Sequence, residues 1–115
     1  MHMALRESDG IVIIDLAGEI CRSMSSSTTL HAIIKSQVEQ GSRNILLNME
    51  RVEFLDSFGI GELLAGYISI QNAGGKIKLI GIPRRVDVVF RIVGLDRVFE
   101  IFRTESSALK SFNAS

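Results

Sequence analysis

The segment FLDSFGIG, residues 54–61, lies where the sequence changes from a strand pattern to a helix pattern. Ahead of it, Ile45-Leu46-Leu47 and Met49 form a nearly continuous apolar run, which is typical of a strand buried on both faces. After it, apolar residues recur three and four positions apart until Gly74-Gly75, as on one face of a helix. These residues are Ile60, Leu63, Leu64, Tyr67 and Ile68. The segment therefore predicts a strand followed directly by a helix.

Four further stretches are rich in β-branched and other apolar residues and end at turn residues, as strands do. They span about residues 3–6, 11–18, 76–82 and 98–102. Asp9-Gly10 separates the first two and predicts a hairpin between them.

Three further helices are predicted from the same helical spacing. The first follows a serine-rich loop, residues 23–27, and ends near Gly41; the second follows Pro83 and ends at Gly94; the third is C-terminal. Their predicted buried residues are Leu30, Ile33, Ile34 and Val38, then Val86, Val89, Phe90 and Val93, and finally Leu109 and Phe112. Strands that alternate with helices over short connections predict a single α/β domain with consecutive parallel strands.

Composition limits the function. With 115 residues the chain fits one domain, 1–115, although Met1-His2-Met3 resembles a cloning remnant. Thirteen basic residues balance thirteen acidic ones, which argues against a dedicated nucleic-acid binder. A single cysteine, Cys21, excludes an intramolecular disulfide and favours the cytoplasm, and no apolar run is long enough to span a membrane. With His2 and His31, this cysteine does not complete a zinc site, so we expect no metal and no cofactor.

No catalytic residue is predicted. Gly59 and Gly61 begin a dinucleotide-binding pattern, but Leu64 stands where a third glycine is needed, and Gly75-Lys76 lacks the Ser or Thr of a phosphate-binding loop. Ser57 lacks the preceding glycine of a hydrolase nucleophile, and His31 would be its only base. We expect His31 to be a solvent-facing helical residue and Cys21 to be a small buried one.

Ser57 is predicted to cap the helix, and a purely structural role as N-cap is the simplest interpretation. A functional interpretation starts from the same position, because a capping serine at the rim of a sheet is exposed. Gly59 and Gly61 would leave the backbone open to a partner. A phosphate on Ser57 would add about two negative charges beside Asp56 without disturbing the fold.

Nearly the whole chain, from about Ile11 to Ala108, resembles the STAS family, which includes bacterial anti-sigma factor antagonists and the cytoplasmic tails of sulphate transporters. The Asp-Ser-x-Gly-x-Gly core of residues 56–61 is the most specific part of the resemblance. The other matching blocks are LAGEI at 16–20, NILLNM at 44–49 with Val52, AGG at 73–75 with the strand after it, and VGL at 93–95 before Val98-Phe99.

The resemblance implies a mixed sheet of four or five strands with about four helices, and a protein that works by exchanging partners. In the antagonist branch, the unmodified domain captures an anti-sigma factor that is also a serine kinase. That kinase phosphorylates the serine after the motif aspartate, here Ser57, and a phosphatase resets the cycle. The implied partner-binding residues are Glu19, Ile20, Cys21, Asp56, Ser57, Phe58, Gly59 and Gly61.

Two residues depart from the family pattern: Cys21 replaces an acidic residue, and Phe58 replaces a small polar one. Two alternatives keep the fold but change the role, namely a scaffold subunit of a larger signalling assembly and a transporter component that binds a small ligand. A homodimer is also left open.

The zero net charge conceals an uneven distribution. Residues 1–75 carry five Lys and Arg against nine Asp and Glu, a net charge of −4, and residues 76–115 carry eight against four, a net charge of +4. Because Glu19, Asp56 and Ser57 belong to the first part, we expect the docking edge to be mildly acidic.

Overall fold

A five-stranded mixed sheet forms the centre of the molecule, and its strands lie side by side in sequence order. A computed structural model describes residues 1–22 and 29–113, so the predicted serine-rich loop at 23–27 lies outside the described residues. The strands are β1 (His2–Ser8), β2 (Ile11–Ile20), β3 (Asn44–Leu55), β4 (Lys76–Ile80) and β5 (Glu100–Phe102). β1 is antiparallel to β2, whereas β2 to β5 are mutually parallel, as the predicted α/β pattern requires.

Within the described residues, four α-helices connect or follow the parallel strands: α1 (Leu30–Glu39), α2 (Ser57–Asn72), α3 (Arg84–Val93) and α4 (Glu105–Asn113). Asp9 and Gly10 both have positive φ, at 50° and 79°, which confirms the tight hairpin predicted between β1 and β2. Gly94 ends α3 in the left-handed conformation, at φ 83°, also as predicted.

The sheet separates two apolar clusters, because alternate residues of β2 point to opposite faces. Ile14 and Leu16 pack into the larger cluster, which α1, α2 and α3 cover, whereas Ile11 and Ile13 pack into a smaller one under α4. The dense apolar run of β2 is therefore buried on both faces. None of the helices in the described ranges is long and apolar enough to cross a membrane.

Several strand limits differ from the sequence prediction. β2 continues through Gly18, whose φ of 94° accommodates an irregularity in the β2–β3 pairing rather than ending the strand. β3 extends well beyond Met49 to Leu55, with several polar residues exposed along its last part. β4 ends at Ile80 because Gly81 turns the chain at φ 67°, and β5 is shorter than predicted because a 3-10 turn, Leu95–Arg97, precedes it.

Three side-chain predictions on the helices also need correction. Ile68 and Val93 were predicted to be buried, but they are 55% and 49% exposed. The α1–α2 contact uses Gly66 instead, because a Cβ there would lie 2.4 Å from Cδ1 of Ile34. His31 is half-buried rather than solvent-facing, and its Nε2 lies 3.1 Å from the hydroxyl of Ser69 on α2. Cys21 is buried, as expected.

On the face of the sheet that α4 covers, a charged cluster links α4 to the β1–β2 hairpin. The Arg6 guanidinium donates to Asp15 Oδ2 at 2.7 Å and to Glu105 Oε2 at 2.9 Å. The Asn48 amide also donates to Asp15, at 2.8 Å. The hydrogen bonds from Arg6 lower the pKa of both carboxyl groups below their ordinary values. Arg6 therefore holds together two acidic side chains from distant parts of the chain.

We predict that Arg6→Gln lowers the free energy of unfolding near pH 7 by about 0.5–1 kcal/mol, since the pairs are partly exposed. Asp15 and Glu105 have lowered pKa values in the folded state, so their contribution is present above the ordinary carboxyl pKa and is lost as the pH falls through the folded values. Urea unfolding at pH 7, 5 and 3 should show a smaller loss on acidification in the variant than in the wild type.

Arg51→Gln is the matched control, because it removes an exposed arginine that makes no ion pair with any residue in the described ranges. It should leave the difference between pH 5 and pH 3 as in the wild type. An Arg6→Gln profile that runs parallel to the wild-type profile over this range would contradict the prediction.

Candidate functional site

The segment 54–61 lies at the edge of the sheet where the parallel strands β2 and β3 end. The last paired residues are Ile20 and Leu55, whereas the pairing of β3 with β4 has already ended at Asn48 and Ile80. The ends of β2 and β3 therefore project beyond the rest of the sheet, and α2 begins directly from this projection.

Asp56, and not Ser57, is the N-cap of α2. Its backbone is extended, at φ −104° and ψ −169°, and its Oδ1 accepts a hydrogen bond from the Gly59 amide at 3.0 Å. Aspartate and serine cap helices about equally well, so the sequence alone did not distinguish the two positions. Ser57 is therefore the first residue of the helix, where its side chain is exposed and its hydroxyl is not needed as the cap.

The Asp56 side chain also links α2 to the end of β2. Its Oδ2 accepts from the Arg22 amide at 3.3 Å, and the Asp56 amide donates to the Ile20 carbonyl at 3.4 Å. The hydrogen bond from the Gly59 amide, followed by that from Arg22, holds the pKa of this carboxyl below its usual value. Asp56 thus remains ionised and fixed in orientation beside Ser57.

The two glycines of the motif have different roles. Gly59 is buried, and a Cβ there would lie 2.2 Å from the Ile20 carbonyl oxygen and 3.0 Å from Cβ of Leu55. The prediction that Gly59 leaves the backbone open to a partner is therefore wrong, because β2 itself occupies that space. Gly61 is exposed with no atom within 4 Å of the position of a Cβ, so a partner can approach the backbone there.

The other predicted contact residues fall into two groups. Glu19 and Ser57 are exposed and Phe58 is half-buried, whereas the side chains of Ile20 and Cys21 are buried and are not accessible from solution. Ile20 and Cys21 were predicted to bind a partner, but the structure uses their side chains in the core. The burial of Ile20 follows from the hydrophobic pattern of β2, which continues to its last residue, and the buried Cys21 comes directly after it.

Arg22 and Phe54 are surface residues of this edge that sequence analysis missed. The Arg22 guanidinium lies 5.1 Å from the centre of the Phe58 ring, within the range of a cation–π contact. Phe54 is 50% exposed although it belongs to β3. Both lie within a few residues of the motif, and an aromatic residue at the end of a strand that also carries charged residues could have indicated exposure.

A shallow groove of about 100 Å³ separates the end of β3 from α3. Its β3 side consists of Glu53, Phe54 and Leu55, and its α3 side consists of Arg85, Val86 and Val89. The edge that was predicted to be acidic therefore carries two arginines, Arg22 and Arg85, as well as its acidic residues. A partner at this edge meets both signs of charge together with exposed aromatic surface.

The exposed groups of this edge are suited to contact with a partner. The base considered for Ser57, His31, is instead paired with the hydroxyl of Ser69. Within residues 1–22 and 29–113, no group of three or more His, Cys, Asp or Glu side chains could hold a metal ion. What the site offers is an exposed hydroxyl on a rigid helix start, flanked by an ionised carboxylate, an arginine and aromatic rings.

Comparison with known proteins identifies the domain family and similar proteins. The STAS domain family model matches residues 2–108. The chain is 26% identical over 112 residues to the anti-sigma F factor antagonist of Paenibacillus polymyxa, with 95% of this chain and 92% of that protein covered.

Solved structures agree on the fold. An anti-sigma factor antagonist from Mycobacterium paratuberculosis superimposes with a TM-score of 0.81 at 22% identity, covering 97% of this chain and 93% of that one. The Bacillus cell fate determinant SpoIIAA in its phosphorylated form superimposes with a TM-score of 0.71 at 26% identity, covering 96% and 98%.

We predict opposite effects for alanine at the two motif glycines. Gly59→Ala should lower the free energy of unfolding by about 1–3 kcal/mol, because its Cβ would collide with backbone that cannot move without displacing β2. Gly61→Ala is the matched control and should raise it by about 0.5–1 kcal/mol, since the space is open and alanine favours the helix. Urea unfolding of both variants tests this, and equal effects at the two positions would contradict it.

We also predict that Asp56→Ala destabilises the fold near neutral pH, whereas Asp56→Asn retains most of the stability because asparagine caps comparably. The lowered pKa of Asp56 means that its ionised form contributes above the ordinary carboxyl pKa and that the contribution is lost as the pH falls through the folded value. The unfolding free energies of wild type and Asp56→Ala should therefore converge on acidification. A constant difference between pH 7 and pH 3 would refute this role of Asp56.

Proposed function

The chain belongs to the STAS domain family, and on this premise we propose that it is an anti-sigma factor antagonist that is switched by phosphorylation of Ser57. In its unmodified form it captures an anti-sigma factor and so releases a sigma factor. It acts as a binding protein without catalytic residues or a cofactor of its own. Relatives across nearly the full length of the chain are anti-sigma factor antagonists, which supports this assignment.

The observation that carries the proposal is the position of Ser57 as the exposed first residue of α2, directly after its cap. Asp56 and Gly59 fix the start of the helix from within the chain, so the Ser57 hydroxyl is left for a partner or a kinase. The likeness to SpoIIAA, which has been solved in a phosphorylated form, supports a modification of this kind.

Phosphorylation at this position should change binding much more than folding. A phosphoserine carries nearly two negative charges near pH 7. Within the chain, repulsion by Asp56 opposes attraction by the positive end of the α2 dipole, so the two effects partly cancel. A partner that fits the unmodified hydroxyl receives the new charge and bulk without such compensation. A hundredfold loss of affinity requires only about 2.7 kcal/mol.

We further propose that the anti-sigma factor is itself the serine kinase and that a separate phosphatase removes the phosphate. The cycle then takes place in the bacterial cytoplasm and needs no nucleic acid or membrane contact from this chain. Phe58 would lie beside the kinase active site, where its ring, with Arg22 over it, forms a flat contact surface.

The test uses the purified anti-sigma factor kinase from the same organism. With ATP, the wild type should be phosphorylated at Ser57 as mapped by mass spectrometry, and Ser57→Ala should take up no phosphate. Without ATP, Ser57→Asp should bind the kinase at least tenfold more weakly than the wild type, because it places a second carboxylate beside Asp56.

Ser106→Asp provides the matched control, because Ser106 is likewise an exposed serine in the first turn of a helix, α4. It should bind as the wild type does. A phosphate mapped to another residue, or equal affinities of Ser57→Asp and Ser106→Asp, would overturn the proposal.

A further inference from the structure

Helix α3 carries apolar residues on the side that faces away from the core. Val86 and Phe90 point inward and are almost completely buried, whereas Val88 and Ile92 are 52% and 78% exposed. Val88 and Ile92 lie four residues apart and therefore adjacent on one helix face. A surface helix normally places polar residues on this side, so its outward apolar stripe indicates a contact that the isolated chain does not make.

Arginines surround this stripe. Arg84 and Arg85 precede it in the first turn of α3, and Arg91 lies beside Ile92. Arg91 is paired with Asp87 at 2.8 Å, but Arg84 and Arg85 make no hydrogen bond or ion pair with any residue in the described ranges. We refer to Arg84, Arg85, Val88, Arg91 and Ile92 as the outer face of α3. It combines an apolar centre with a net positive rim.

The outer face of α3 is continuous with the surface around Ser57. Arg85 belongs both to this face and to the groove whose opposite side contains Phe54 and Leu55. Leu55 leads directly into Asp56 and Ser57, so a single partner can cover the helix start, the groove and α3 together. The groove also favours a protein over a flat anionic membrane, because a protein side chain can fill it.

We propose that the outer face of α3 is a second part of the partner-binding surface and that it binds an acidic segment of the anti-sigma factor that carries apolar side chains. This inference rests on the proposed function. Val88 and Ile92 are covered by apolar side chains of that segment, and Arg84 and Arg85 pair with its carboxylates. The complementary charge would speed association and fix the orientation of the partner on the surface.

The experiment measures by calorimetry how the purified anti-sigma factor kinase from the same organism binds to the wild type and to three variants. The Val88→Ser/Ile92→Ser double variant should raise the dissociation constant about 10- to 100-fold. The Arg84→Glu/Arg85→Glu variant should also weaken binding and should show a smaller dependence on salt. Leu5→Ser is the matched control, since Leu5 is 43% exposed on the edge strand β1, and this variant should bind as the wild type does.

Circular dichroism and urea unfolding should confirm that all variants are folded, which is expected because every altered side chain is exposed. Ser57→Asp is measured in parallel. If Ser57→Asp weakens binding and both α3 variants bind like the wild type, the inference about α3 is wrong while the proposed function stands. If the wild type does not bind the kinase at all, both are wrong.

Vesicles of phosphatidylcholine and phosphatidylglycerol at a ratio of 7:3 provide the remaining comparison. The wild type should not sediment with them. Sedimentation that the α3 variants abolish would assign the outer face to an anionic membrane and would overturn the inference of a protein partner.

Discussion

The approach of the first turn of α2 to the end of β2 is the contact on which the candidate site depends. A Cβ at Gly59 would reach within 2.2 Å of the Ile20 carbonyl oxygen, so only glycine allows this separation. Asp56 reinforces the contact by accepting from amides on both sides of it, those of Gly59 and Arg22. Ser57 lies between this cap and the buried Gly59 as the first residue of α2, and its side chain is exposed.

Some charged side chains of the molecule make contacts within the chain, whereas others are exposed to a partner. On the face of the sheet that α4 covers, Arg6 donates hydrogen bonds to Asp15 and Glu105 and so links α4 to the β1–β2 hairpin. At the edge around Ser57, the Asp56 carboxylate is occupied by backbone amides, whereas Glu19 is exposed. The neutral total charge therefore reflects acidic and basic groups with different functions, and only some of them are available to a partner. The net charge of zero argues against a polyanion binder, but it does not describe the mixture of charges at the docking edge.

The order of strands and helices was predictable because each element has a clear period and ends at a turn residue such as Gly10 or Gly94. The projection of β3 was not, because the exposed polar residues in its last part resemble a loop. The N-cap was assigned to Ser57 instead of Asp56 because the two residue types cap equally well and only the backbone angles distinguish them. The buried role of Gly59 could not be predicted, because it depends on how closely β2 and α2 pack.

The exposed face of α3 shows a further limit of reasoning from hydrophobic spacing. Val86 and Phe90 of the predicted stripe are buried as expected, whereas Val93 is 49% exposed. The same spacing gave no indication that Val88 and Ile92 form a second apolar stripe on the outside. Phe90 is completely buried in the larger cluster, where the centre of its ring lies 6.4 Å from that of Phe99. The second stripe was left in solvent beside Arg84 and Arg85. Val88 and Ile92 lie outside the core, so a partner can cover them without displacing Val86 or Phe90. Selection for binding can therefore act on the outer face of α3 independently of selection for a stable core.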